Sequence, residues 1–125
     1  AYGILAKYEF TRGGEAMIED VVRKGRLLDI YGPLLTERQR RCMEMYFNLD
    51  LSLSEIGEEL HISRQGAYDM LNRASRSLEG YESRLGLLAR TDAIREKIDT
   101  AVSLLESGTE SAQEQAEHIL KDIEL

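Results

Sequence analysis

Apolar residues recur every three or four positions along most of the chain, and this spacing places them on one face of an α-helix. The first such run predicts a helix over about residues 16–30, which Gly32-Pro33 ends because proline does not continue a helix. No segment alternates apolar and polar residues in the way that a half-buried strand does. The pattern therefore predicts an all-α protein.

Side chains that cap helices mark three further helix starts. Thr36 is followed three positions later by Gln39, the capping box in which each side chain satisfies a backbone amide of the other residue. Ser52 and Glu55 repeat this spacing, and Ser63 is a third N-cap residue. The helix after Thr36 is predicted to bury an apolar set with the same period: Leu35, Cys42, Met43, Tyr46 and Phe47.

Beyond Ser63 the apolar positions alternate spacings of three and four, which is the pattern of a coiled-coil seam. The positions are Leu71, Ala74, Leu78, Tyr81, Leu85 and Leu88. Two interpretations stay open: the residues complete the core of their own domain, or they extend past it to meet a partner helix. We place the division near Leu78 and predict a dimer interface formed by Tyr81, Leu85 and Leu88.

The last third of the chain predicts a helical hairpin. One apolar stripe consists of Ile94, Ile98, Val102 and Leu105. Gly108 is a candidate C-cap, and Ser111 with Glu114 forms a fourth capping box before a second stripe. The remaining positions are strongly acidic, which predicts a hairpin with a solvated outer face.

These elements predict three regions along the chain. Residues 1–16 show little periodicity and precede Met17, so we expect them to be a leader that is non-native or a start-site extension. A helix-turn-helix domain is predicted over residues 17–80. Residues 81–125 are predicted to form an acidic helical tail that serves dimerisation.

Charge is distributed unevenly along this acidic chain, whose formal net charge is −7. Residues 91–125 hold nine acidic and three basic residues, a net charge of −6. Residues 63–77 instead hold three arginines against Asp69 alone, a local charge of +2. Because charges more than about 8–10 Å apart are screened at physiological salt, the global charge does not decide what this segment binds.

The composition argues against several classes of protein. Cys42 is the only cysteine, so no disulfide framework can form, and a reducing cytoplasm is expected. Its apolar neighbours indicate a buried thiol and not a reactive one. His61 and His118 are the only histidines and lie far apart, so neither a metal site nor catalysis is expected, and no cofactor is predicted. The apolar runs are too short for membrane insertion.

The segment 52–71 has the organisation of a helix-turn-helix. Gly57 is the small residue where the helices approach. His61-Ile62-Ser63 is the turn, and because His61 occupies the position that glycine usually holds, we expect a strained or altered turn. Ala67 and Met70 are the predicted apolar anchors of the second helix. The remaining faces of that helix are predicted to bind DNA through Ser63, Arg64, Gln65, Tyr68, Asn72, Arg73 and Arg76.

The run from Leu35 to Leu78 resembles region 4 of bacterial sigma factors, which reads promoters. More closely, the run from Leu27 to Leu85, containing SLSEIGEELHISRQGAYD, resembles the YlxM-like family of small bacterial helix-turn-helix proteins. The resemblance implies an all-helical, cytoplasmic, dimeric protein with a DNA-binding regulatory role. It also implies a link to the signal recognition particle.

A second function is compatible with the same residues. A helix-turn-helix fold does not dictate DNA binding, and three basic residues on one helix are few for a protein that binds duplex. The alternative is an accessory module of co-translational targeting that binds protein or structured RNA and does not read DNA. An outward-facing Asp69 would be either a contact to cytosine or an argument for this alternative.

Overall fold

The structure, a computed structural model, describes the backbone of residues 14–124 and the side chains of residues 20–124. Its elements are α1 (Gly14–Tyr31), a 3-10 turn (Gly32–Leu34), α2 (Glu37–Phe47), α3 (Leu53–Leu60), α4 (Arg64–Leu85), α5 (Leu87–Glu106) and α6 (Glu110–Lys121). No strand occurs within residues 14–124, so the predicted all-α class is confirmed. Residues 1–13 of the predicted leader lie outside the described residues. The chain divides into two compact units between Leu85 and Gly86.

The three predicted caps in the first unit are confirmed. Thr36 Oγ1 accepts a hydrogen bond from the Gln39 amide at 3.2 Å, and the side chain of Gln39 accepts from the Thr36 amide. The box that begins at Ser52 has the same two hydrogen bonds. Ser63 Oγ accepts from the amide of Gly66 at 2.9 Å. The local sequence therefore fixes where α2, α3 and α4 begin.

The predicted capping box at Ser111 is wrong. Helix α6 begins two residues earlier than that box requires, at Glu110, and Thr109 Oγ1 accepts from the Ala112 amide at 3.1 Å. Gly108 precedes the cap with a φ of +74°, a left-handed conformation that glycine adopts without strain. Because the chain turns at Gly108, the hydroxyl immediately after it meets the free amides first, and Ser111 lies inside the helix.

The core of the first unit lies where α1, α3 and α4 surround α2. Its wholly buried side chains include Leu27, Tyr31, Cys42, Met43, Ile56 and Leu78. Burial raises the pKa of the Cys42 thiol to about 11, which agrees with the predicted unreactive thiol. The prediction for Tyr46 is wrong, because Tyr46 is only half-buried whereas Met45 is buried. Neighbours on several sides of α2 cover a wider arc than one stripe.

An ion-pair cluster joins the C-terminal half of α4 to α1. Arg23 donates from Nε and Nη2 to the two carboxylate oxygens of Glu79 at 2.9 and 2.8 Å, and Lys24 Nζ donates to Glu79 at 2.7 Å. The hydrogen bonds from Arg23, followed by those from Lys24, lower the pKa of Glu79 from 4.5 to about 2. The cluster therefore ties together two helices that are distant in sequence.

Two tyrosines extend this connection further along α4. The hydroxyl of Tyr31, a wholly buried residue of α1, donates to Glu82 at 2.7 Å. The hydroxyl of Tyr81 donates to the carbonyl of Leu34 at 3.2 Å, and the rings of Tyr31 and Tyr81 lie 6.0 Å apart. The last two turns of α4 are thus fixed by polar contacts as well as by apolar packing.

The predicted seam through Tyr81, Leu85 and Leu88 is not continuous. Helix α4 ends at Leu85, and Gly86 adopts a left-handed conformation with a φ of +64° before α5 begins. Leu88 lies on α5 and is only 3% exposed. Helix α4 ends before Gly86 because glycine adopts a left-handed conformation without strain, whereas glycine inside a continuous helix is destabilising relative to alanine.

The second unit is the predicted helical hairpin, formed by α5 and α6. Its buried positions include three alanines, Ala101, Ala112 and Ala116, whose small side chains allow two helices to approach closely. The predicted apolar stripe of α5 does not form the buried face, because Ile98, Val102 and Leu105 are all exposed. The predicted helix is present, but its buried face contains Ala101 and not the stripe of larger apolar residues.

We predict that replacing Glu79 removes part of the acid sensitivity of the fold. The lowered pKa means that the Glu79 carboxylate stabilises the fold above about pH 4.5 and ceases to do so as the pH falls toward about 2. Glu79→Gln should lower the free energy of unfolding by about 0.5–1 kcal/mol at pH 7, a modest value because the side chain is 36% exposed. Urea unfolding at several pH values measures this difference.

The difference between wild type and Glu79→Gln should shrink between pH 4.5 and 2. Glu59→Gln is the matched control, since Glu59 is exposed on α3 and has no ion pair among the described residues. A difference for Glu79→Gln that stays constant down to pH 2 would contradict the assigned role of the carboxylate.

Candidate nucleic-acid interface

Helices α3 and α4 form a helix-turn-helix in which the backbone at Gly57 lies against the turn. A Cβ atom added to Gly57 would lie 2.7 Å from the carbonyl oxygen of Ile62, closer than a real contact permits. The amide of Ile62 donates to the carbonyl of Gly57 at 2.9 Å and fixes the approach. Glycine is therefore required at this position, as the sequence predicts.

His61 occupies the turn in a strained conformation. Its φ and ψ angles are 57° and 42°, the left-handed region that non-glycine residues adopt at a cost of about 1–2 kcal/mol. The predicted strain at this position is present. The arginine that stabilises the turn was not predicted: Arg38 of α2 donates from Nη2 to the carbonyl of Leu60 at 3.0 Å. This bond satisfies one of the free carbonyls at the end of α3.

The first turns of α4 are seated on the core by small and apolar side chains. Ala67 is fully buried, and its carbonyl lies 3.8 Å from the Cys42 sulfur. Met70 is half-buried and Leu71 is buried, in agreement with the predicted inward face. Gly66 has no room to spare on its inner side, since an added Cβ would lie 3.2 Å from Ser63 Oγ. The start of α4 is thus held against α2 and α3.

The seven predicted DNA-binding residues lie on the solvent side of the start of α4. All are exposed: Ser63, Arg64, Gln65, Tyr68, Asn72, Arg73 and Arg76. Tyr68 is a large aromatic residue, yet 49% of its surface is accessible. We call this set the reading face. Because the opposite side of the helix packs on the core, the reading face is presented outward as one surface.

One carboxylate, that of Asp69, lies beside the reading face. Gln65 Nε2 donates to Asp69 Oδ1 at 3.1 Å, across one turn of the helix. This bond orients the amide of Gln65 and leaves its oxygen and second N–H group for a ligand. Asp69 is exposed, so its negative charge lies on the same surface as the arginines.

The guanidinium groups of the reading face have no acidic partner among residues 20–124. Among the described residues, Arg64, Arg73 and Arg76 form no ion pair, whereas Arg23 and Arg40 are both paired. A charge without a partner can bind an external anion without first breaking an internal bond. The reading face therefore suits a polyanion.

Arg84 and Gln39 were not singled out from the sequence. Both line a groove of about 540 Å³ together with Arg73 and Arg76. The spacing of Arg73, Arg76 and Arg84 along α4 places them on one face of a helix, and this signal was available in the sequence. The contribution of Gln39 from α2 depends on tertiary packing and was not.

Other kinds of site find little support in residues 14–124. No group of three or more histidine, cysteine, aspartate or glutamate residues there could hold a metal ion. Within the same range, no helix combines the length and apolarity needed to cross a bilayer. The site that the fold best defines is the exposed second helix of a helix-turn-helix.

Comparison with known proteins supports this class. The family profile of UPF0122, described as "Putative helix-turn-helix protein, YlxM / p13 like", matches residues 18–123. The UPF0122 protein of Thermoanaerobacter sp. (strain X514) is 46% identical over 108 residues, which cover 86% of this chain and 91% of that protein. The UPF0122 protein of Caldanaerobacter subterraneus is 49% identical over 83 residues, covering 66% and 71%.

A more distant relative, the UPF0122 protein of Lacticaseibacillus casei, is 44% identical over 86 residues, covering 69% of this chain and 76% of that protein. The chain belongs to the UPF0122 family. The resemblance to YlxM-like proteins that the sequence suggested is confirmed.

We predict that Gly57→Ala destabilises the first unit. The added methyl group would press on the Ile62 carbonyl, and relief would require the backbone of α3 or of the turn to move. We expect a loss of about 1–3 kcal/mol in the free energy of unfolding. Gly80→Ala is the control, because a Cβ there meets nothing within 4 Å and alanine favours a helix by about 1 kcal/mol. Thermal melting should give a melting temperature below that of the wild type for Gly57→Ala and at or above it for Gly80→Ala. A Gly57→Ala variant as stable as the wild type would contradict the close contact between Gly57 and the Ile62 carbonyl.

Proposed function

We propose that this protein is a cytoplasmic regulatory protein that binds duplex DNA with the reading face of α4. The observation that carries the proposal is the exposure of all seven predicted residues on one surface, with three arginines that lack ion-pair partners among the described residues. The family's helix-turn-helix description supports the same class of ligand. The first turns of α4 would enter the major groove.

Each part of the reading face suits a different part of DNA. Arg64 and Gln65 lie at the start of α4, where side chains of a recognition helix reach base edges and can form bidentate hydrogen bonds. Arg73 and Arg76 lie two to three turns further along and suit phosphates, which position the protein without reading sequence. The exposed start of the helix at Ser63 adds a favourable site for a phosphate.

The negative net charge of the chain is compatible with this proposal. Most of the negative charge belongs to residues 91–125, whereas residues 63–77 hold three arginines and one aspartate. At physiological salt, charges more than about 8 Å apart are largely screened. The local charge of the reading face therefore determines the interaction with phosphates at contact distance.

A homodimer belongs to the proposal. Three unpaired arginines give each chain few phosphate contacts, and a specific DNA-binding protein neutralises several phosphates. Two copies would double that number and present two reading helices to half-sites about 34–36 Å apart. Of the predicted interface residues, Leu85 supports a contact best, because 57% of its surface is exposed.

The exposed carboxylate of Asp69 favours a second candidate function. An aspartate on a surface that meets phosphates is repelled by them, unless it accepts a hydrogen bond from a cytosine. The second candidate is an accessory module of co-translational targeting that binds a protein or an RNA of the signal recognition particle. In that case the arginines of α4 would contact structured RNA or an acidic protein surface instead of duplex DNA.

Duplex binding should fall steeply with salt and should depend on the reading face in two distinguishable ways. Arg64→Ala should relax sequence preference by about 1–3 kcal/mol at one base pair, since a bidentate contact to a base would be lost. Arg73→Ala should weaken all duplexes alike and reduce the slope of log K against log salt by about 0.9. Fluorescence anisotropy between 50 and about 200 mM salt measures both effects.

Arg95→Ala removes the same charge from an exposed position on α5 and is the matched control. If the wild type ignores duplex at low salt and instead retains the RNA or the GTPase of the signal recognition particle, the second candidate function is correct.

The dimer is tested separately by Leu85→Glu. A charge on an exposed apolar contact should convert a dimer to a monomer, and light scattering reports the mass. Leu49→Glu is the control, because Leu49 is 65% exposed and lies in the connection between α2 and α3. An unchanged mass for Leu85→Glu would remove Leu85 from the interface.

A further inference from the structure

A groove on the side of α4 that faces α2 is lined, among the described residues, by basic and neutral side chains only. It has a volume of about 540 Å³, and its lining residues include Arg73, Arg76 and Arg84 of α4 and Gln39 of α2. Within the part of the chain whose side chains are described, no carboxylate lines it. Among the described residues, none of the three arginines forms an ion pair. We call it the arginine groove.

A neighbouring groove on α4, on the side that faces α1, provides an internal comparison. It has a volume of about 290 Å³ and is lined in part by Lys24 and Glu79, which pair with each other. Its charges are therefore largely satisfied within the protein. The arginine groove differs because its positive charge has no internal counterpart, although both grooves share Arg76.

Gly80 keeps the arginine groove open. It lies four residues after Arg76 and four residues before Arg84, so any side chain at this position would lie beside both guanidinium groups. A Cβ added to Gly80 would meet nothing within 4 Å, and the residue is exposed. No packing or turn requires glycine here, and it disfavours the helix by about 1 kcal/mol relative to alanine.

The groove extends well beyond the part of α4 that can enter DNA. Arg73 and Arg84 are separated by about 16 Å along the helix axis, and Arg84 lies about 30 Å from the start of α4. The major groove is only about 12 Å wide. If the start of α4 contacts base edges, Arg84 lies outside the major groove, at the level of the sugar-phosphate backbone that flanks it.

We propose that the arginine groove receives the sugar-phosphate backbone of duplex DNA beside the base pairs that the start of α4 reads. This inference rests on the proposed function. It assigns phosphate contacts to Arg84 and Gln39, which lie outside the reading face, and it extends the footprint of each chain along the duplex. The open form of the groove suits a continuous strand, and its unpaired guanidinium groups suit phosphates.

The test compares Gly80→Glu with Gly80→Gln. Either side chain has room, and both favour a helix more than glycine, so both variants should melt at or above the wild-type temperature. The glutamate can pair with Arg76 and Arg84 at spacings of four residues and neutralise the groove, whereas the glutamine adds the same bulk without charge. The probe is a duplex of about 30 base pairs selected from a random pool by the wild-type protein, a length that spans nearly three helical turns.

Gly80→Glu should bind this duplex about tenfold more weakly at low salt, with a slope of log K against log salt reduced by about 1–2, while Gly80→Gln binds within about twofold of the wild type. Arg84→Gln should reduce the slope by about 1, and Arg95→Gln should not change it. Preference for the selected duplex over a scrambled one should be unchanged in all four variants, because the groove reads no bases.

Wild-type affinity and slope in both Gly80→Glu and Arg84→Gln would overturn the inference while leaving the proposed function intact. A wild-type protein that selects no duplex would overturn the proposed function, and this failure appears without any variant. Weaker binding of inorganic pyrophosphate by Gly80→Glu, with unchanged duplex binding, would assign the groove to a small anion and would also overturn the inference.

Discussion

The close contact between α3 and the turn at Gly57 is the constraint on which the rest of the first unit depends. The carbonyl of Ile62 lies where a side chain at position 57 would be, and this brings Ser63 to the point where its hydroxyl can cap α4. The direction of α4 follows from that cap and from the buried Ala67. A displaced turn would tilt the reading face as a whole, because its residues share one rigid helix.

Helix α4 is fixed at both ends by different kinds of interaction. Near its start the contacts are short backbone approaches and apolar packing, whereas near its end they are the carboxylates of Glu79 and Glu82 bound by α1. Glu79 and Glu82 are therefore used internally, whereas the arginines of α4 form no ion pair among the described residues. This division of charge explains how α4 can present a positive surface although it carries acidic residues.

The sequence predicted best those features that depend on near neighbours. The caps at Thr36, Ser52 and Ser63 are local hydrogen bonds, and the glycine of the turn follows from the spacing of a known motif. Predictions were wrong where two residues can each cap the same helix, or where tertiary packing determines which side chains are buried. Both Thr109 and Ser111 can cap a helix, and the turn at Gly108 selects the first. The predicted seam through Leu88 is interrupted at Gly86. The spacing of three and four residues continues past the end of α4, so the spacing alone did not reveal that the helix ends there.

The arginine groove shows the same limit for the site. The exposure of the seven residues could be predicted from their spacing along one helix and its cap, but the groove requires α2 to lie beside α4. Nothing in the spacing of Gln39 relative to Arg84 indicates that they share a groove. The hydrogen bond from Arg38 of α2 to the carbonyl of Leu60 on α3 also depends on tertiary packing, so the spacing of residues along the chain did not predict it.

Side-chain NMR of arginine tests most directly whether the guanidinium groups of α4, which form no ion pair among the described residues, meet phosphates. Nε–Hε resonances would be recorded during titration with duplex DNA. The resonances of Arg64, Arg73 and Arg76 should shift and gain protection, while that of Arg23, held by Glu79, should not. Shifts confined to arginines of α5, with those of α4 unchanged, would show that α4 does not meet the phosphates.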